Sequence, residues 1–126
     1  MNYSEKDMIR SALLPLLLGA SGEALTLSFR IYLRFGVTSY ICDEGQSIIH
    51  TLNPATRFLD LGARSEPEIL LESLVAISER GDYLPIIIPC DDFYRSFTAR
   101  FRDTLETRFI ISDRKRFFSE RPMSVF

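Results

Sequence analysis

Five short apolar runs punctuate this chain, and the segments between them carry apolar residues at three- and four-residue spacings. The runs are LLPLLL (13–18), VTSYIC (37–42), FLDL (58–61), LPIII (84–88) and FII (109–111). Runs of this length, rich in β-branched and aromatic residues and bounded by Gly or Pro, read as strands. Strands that alternate with helices, and are apolar on both faces, require a parallel sheet covered on both sides. Right-handed crossovers then leave few topologies. The expected architecture is an α/β, three-layer, doubly wound parallel sheet of strand order 3-2-1-4-5.

The helices are marked less evenly. Residues 23–35 place Leu25, Phe29, Tyr32 and Phe35 on one stripe, and Gly36 supplies the stop. Residues 45–57 hold only a weak helical pattern around Ile48, Ile49 and Leu52, broken at Asn53-Pro54. Ser65-Glu66-Pro67-Glu68 matches a capping box, with Pro67 in the first turn and Leu70, Leu71, Leu74, Val75 and Ile77 as the buried face. Gly81 ends that helix. Phe93, Phe97, Phe101 and Leu105 then recur every four residues along one further helix.

At 126 residues and a net charge of −2, one domain is expected, with no general attraction to nucleic acid. Residues 1–112 form that domain, and 113–126 read as a linker or tail. The longest apolar run, Ala12–Leu18, is interrupted by Pro15 and falls short of the roughly 20 residues of a membrane span. The polar, acidic start MNYSEKDMIR does not resemble a secretory signal, so a cytoplasmic location is expected. Lysine occurs only at Lys6 and Lys115, so the body of the fold offers none for ATP phosphates or a Schiff base.

In a doubly wound sheet, ligands bind where the strand order reverses, at the carboxyl ends of the first and fourth strands. Gly19-Ala20-Ser21-Gly22 stands at one of these ends and Pro89-Cys90-Asp91-Asp92 at the other. The glycine loop departs from the dinucleotide fingerprint, because Leu17 occupies the place of its first glycine. Glu23 follows directly, where it would favour the helix dipole and repel a pyrophosphate. Asp43 and Glu44 do stand near the position of a ribose-binding acid. A tight strand-to-helix turn accounts for both glycines without a ligand.

Cys42 and Cys90 end the second and fourth strands, which flank the first. Two sheet spacings separate them by about 10 Å, beyond the roughly 7 Å that a disulfide spans, so free thiols are expected. A catalytic cysteine needs a base, and the only histidine, His50, lies in the second crossover. Asp91 and Asp92 stand where an N-cap belongs; one of them is expected to cap, the other to face the crevice. No metal-ligand spacing and no catalytic residue stands out. The tail, DRKRFFSERPMSVF, mixes a basic run with Phe117, Phe118, Met123, Val125 and Phe126, which points to a surface for another domain or for a second copy in a homodimer.

From about Leu14 to Ile111 the chain resembles the N-terminal, pre-ATP-grasp domain of ATP-grasp ligases. It is most similar to the branch that holds D-aspartate ligase and the carbamoyl-phosphate synthase large chain. The residues that carry this likeness are LPLLLGASGEAL with the helix ending RFG, VTSYICDE, and IIIPCDDFYRSFTARFRDTLETRFII. The resemblance implies an ATP-dependent carboxylate–amine ligase, in which ATP phosphorylates a carboxylate and an amine attacks the acyl phosphate. It implies that ATP and magnesium bind mainly in a later ATP-grasp domain, so that this chain is not competent alone: a piece of a longer ligase or a stand-alone remnant. Carried onto this sequence, Gly19, Ala20, Ser21 and Gly22 would border the substrate cleft from one side. Cys90, Asp91, Asp92 and Tyr94 would border it from the other, with Asp43 nearby. Glu23 and the paired acids would favour an amine on a small amino-acid or carboxylate substrate. The alternatives are a non-catalytic Rossmann-like binding or assembly module and, disfavoured by Leu17 and Glu23, a dinucleotide-binding oxidoreductase domain.

Overall fold

The computed structural model describes residues 13–45, 54–80 and 83–117. Its strands are β1 (Leu13–Leu18), β2 (Ser39–Asp43), β3 (Thr56–Asp60), β4 (Leu84–Pro89) and β5 (Ile110–Ile111). Its helices are α1 (Gly22–Phe35), α2 (Pro67–Ser78), α3 (Asp92–Arg100), α4 (Arg102–Glu106) and α5 (Arg114–Phe117). All four strand pairings are parallel and the order is β3-β2-β1-β4-β5, as the alternation of runs requires. His50, Lys6, Gly81 and most of the weakly patterned crossover lie outside the described residues.

Side chains alternate across the sheet. Leu13 and Leu17 of β1 join Ile41, Ile86 and Ile88 under α1, while Leu16 and Leu18 join Cys42 and Ile87 under α2, α3 and α4. Each fully buried Leu or Ile in these layers contributes about 1.5–3 kcal/mol. The central strand is covered on both faces, which explains why LLPLLL shows no polar alternation.

Several helix details differ from expectation. The buried face of α1 is Ala24, Leu27, Ser28, Ile31 and Phe35, not Leu25, Phe29 and Tyr32; Phe29 is exposed. The stripe shifts because a small polar residue belongs to it. Ser28 donates to the Leu25 carbonyl at 2.8 Å and shares a buried hydrogen bond of 2.6 Å with Thr56 on β3. The capping box at Ser65 does not form: Glu66 is the N-cap of α2 and makes no side-chain capping bond, although Pro67 does open the helix.

The aromatic helix divides at Phe101, whose φ of −105° and ψ of 21° leave the helical region. Its N–H still bonds the Phe97 carbonyl, and Leu105 N–H bonds the Phe101 carbonyl. The four-residue stripe therefore packs on one core although the helix is interrupted. Phe117, expected on the exposed tail, is buried and meets the Phe35 ring edge-on at 5.9 Å, so the core extends past residue 112. Phe118, Met123, Val125 and Phe126 lie outside the described residues. Among the described residues, no helix is long and apolar enough to cross a membrane.

Candidate functional site

The carboxyl ends of β1, β2 and β4 are stitched together by the backbone. Gly19 N–H bonds the Cys42 carbonyl at 2.9 Å, and Cys90 N–H bonds the Leu18 carbonyl at 2.8 Å. The glycine loop and the Pro-Cys-Asp-Asp corner are thereby brought face to face. Gly19 adopts φ 113°, and a Cβ on it would lie 2.5 Å from Asp91 Oδ2. Glycine is required there on both counts. Gly22 has open space around it and needs no glycine for steric reasons.

An arginine that the sequence did not single out lies at the middle of the crevice. Arg64, on the loop after β3, donates from Nε to Asp43 Oδ1 at 3.0 Å and from Nη2 to Asp43 Oδ2 at 2.7 Å. The same Nη2 donates to Asp91 Oδ2 at 2.7 Å. Its guanidinium lies 4.9 Å from the Phe93 ring centre and 5.0 Å from that of Tyr94, in cation–π contact with both. Nothing local in LGARSEP marks this role, because the partners are supplied by β2 and α3. The only available signal was an arginine on a loop beside the expected ligand-binding edge.

Asp43 is the most heavily bonded carboxylate. Besides Arg64 it accepts from Ala20 N–H at 2.8 Å, Glu44 N–H at 2.8 Å and the Tyr94 hydroxyl at 3.3 Å. Burial acts to raise its pKa. The hydrogen bonds from Arg64, Ala20 and Glu44, with the Arg64 charge, outweigh burial and hold the carboxyl below its ordinary range. The hydrogen bond to Asp43 lifts Arg64 further above its already high range; burial opposes this, and Asp91 adds to the rise. Burial, then the Asp43 charge, push the Tyr94 hydroxyl up, so it stays a neutral donor. Asp43 is thus a fixed anion with its oxygens occupied by protein donors, not a proton shuttle.

The anticipated residues do not all meet in one cluster. Ala20, Asp43, Asp91 and Tyr94 meet around Arg64, with Gly19 against Asp91. Asp91 is the N-cap: Oδ1 accepts the Tyr94 N–H at 2.9 Å while Oδ2 takes Arg64, so it caps and faces the crevice at once. Ser21 caps α1 through Ala24 N–H and donates to the Cys90 carbonyl at 3.0 Å.

Glu23 and Asp92 lie apart from this cluster, in an ion pair network with Arg95 at 3.0 Å each; the Asp92 side chain is fully exposed. It faces solvent, not the crevice. Cys90 meets the cleft only through its backbone. Its thiol is buried in the α1 face, while that of Cys42 is buried in the opposite face, and neither is joined in a disulfide.

Two carboxylates against one guanidinium leave the crevice one net negative charge, and Glu44 adds another at 4.0 Å from Arg64. Among the described residues no group of three or more His, Cys, Asp or Glu side chains is placed to hold a metal ion. No protein-family profile, curated protein or solved structure matches this chain.

Proposed function

We propose that this chain is the substrate-side, N-terminal domain of an ATP-dependent carboxylate–amine ligase of the ATP-grasp kind. It would present the acceptor side of a cleft, with ATP and magnesium held by polypeptide outside these residues. One observation supports this most directly: the crevice that would hold a nucleotide is filled by Asp43, Arg64 and Asp91, with negative charge in excess. The start of α1 is also engaged, since Ala20 N–H bonds Asp43 and Ala24 N–H bonds Ser21. A bare phosphate meets occupied donors and repelling acids there, whereas an ammonium group meets Asp91 and Glu44.

The ligase reading predicts that the coding sequence continues past Phe126 into a lysine-bearing ATP-grasp region. A stop codon at that point would overturn it. Calorimetry on the 126-residue chain should show weak or absent binding of ATP and NAD; NAD binding in the micromolar range would favour an oxidoreductase domain. The second reading is a non-catalytic Rossmann-like binding or assembly module. The saturation of Asp43 by protein donors favours it, because such a cluster serves as a clamp without any ligand.

A further inference from the structure

A second groove, of about 190 Å³, opens at the carboxyl ends of β4 and β5, beside the face of α3 that carries Arg95 and Thr98. Arg95, Thr98, Arg102, Ser112, Asp113 and Arg116 line it. We propose that this groove binds the oxyanion of a small ligand, a phosphate or a carboxylate. The proposal does not rest on the ligase reading.

Two independent observations carry it. The first is charge. Arg95, Arg102 and Arg116 line the groove together with Asp113. The groove continues past Arg95 and Asp113 into a depression that bears Lys115 and Glu23. Asp113 is partly engaged, since its Oδ1 accepts the Arg116 N–H at 2.7 Å. Arg95 and Arg102 are ion-paired with Glu23, Asp92 and Glu106, which offset their charge, while among the described residues the Arg116 guanidinium has no carboxylate partner and is the one the proposal relies on. Planar guanidiniums beside hydroxyls are the donor set that oxyanions select.

The second observation is Thr98. It is 3% exposed, and among the described residues its Oγ1 has no hydrogen-bond partner. A threonine inside a helix ordinarily returns its hydroxyl to a carbonyl one turn back. Here that bond is not made, and a buried hydroxyl without a partner costs stability. Thr98 lines the arginine-lined groove while its Oγ1 is buried, and the proposal requires that anion binding turn this hydroxyl toward the groove.

The test is an amide NMR titration with sodium phosphate and, separately, sodium acetate, at constant ionic strength. The expected result is saturable shifts at Thr98, Arg102, Ser112 and Arg116, with a dissociation constant of about 1 mM or tighter for at least one anion. Phosphate alone saturating assigns a phosphate ligand, and acetate alone assigns a carboxylate. Thr98→Val and Arg116→Gln should each weaken binding about tenfold, while Arg80→Gln, at the far end of α2, leaves it unchanged. Absence of saturable shifts with both anions overturns the proposal. So does equal loss in Arg80→Gln and Arg116→Gln, which would mean diffuse attraction. Should Thr98→Val fail to fold, the exposed Arg116→Gln carries the test alone.

Discussion

Arg64 and Asp91 meet at 2.7 Å across the carboxyl edge of the sheet, joining the loop after β3 to the first residue of the α3 cap. Through Arg64, Asp91 is coupled to Asp43 on β2, so three separate strand ends are held by one side chain. The crevice of this doubly wound sheet is closed by its own charges.

Arg64→Met should therefore destabilise the fold by about 2–4 kcal/mol, because it leaves Asp43, 7% exposed at its side chain, charged and without its cation. Urea denaturation measures this. Arg64→Lys should recover only part of the loss, since an ammonium cannot reproduce the Nε and Nη2 fork on Asp43. Wild-type stability in Arg64→Met would mean that the cluster does not hold the crevice.

The acid limb of the stability curve should carry the signature of Asp43. Its folded pKa lies below the unfolded value of about 3.9, so on unfolding in acid the chain takes up a proton there. Its contribution is complete above the unfolded pKa and is lost as pH falls from about 4 through the folded pKa. Asp43→Asn should be less stable at neutral pH and should lose less on acidification. A parallel acid limb in the variant would contradict this.

The two glycines of the loop should respond in opposite ways to alanine. Gly19→Ala should cost about 1–3 kcal/mol, since φ is positive and the new methyl meets Asp91. Gly22→Ala should be neutral or should stabilise by up to about 1 kcal/mol, as it opens α1 in free space. Paired thermal melts read both.

Neither thiol should react in the native state. Burial, then the Asp43 charge, then Cys90 push the Cys42 thiol up, and both cysteines are buried on opposite faces of the sheet. Alkylation of the folded chain should be about a thousandfold slower than in denaturant. Rapid labelling of native protein would show that the edge of the sheet opens.

Strand order and the position of the crevice were legible because both follow from local information. LLPLLL and LPIII announce doubly buried strands, and GASG and PCDD announce the turns that end them. The α1 stripe was misread because Ser28 looks polar; its burial depends on Thr56, supplied 28 residues later by an edge strand. Ser65 resembled a cap, but the chain enters α2 one residue later, at Glu66. The break at Phe101 has no local marker.

By itself, then, the sequence determined the alternation of elements, the buried central strands and the two corners that border the crevice. Those depend on apolar spacing and turn chemistry within a few residues. Only the tertiary structure decided that Arg64 fills the crevice, that Asp91 serves cap and ion pair together, and that Thr98 lies without a partner beside three arginines. Each of these is a long-range encounter: Arg64 is 21 residues from Asp43 and 27 from Asp91. Such charges converge only after sheet pairing has aligned the strand ends.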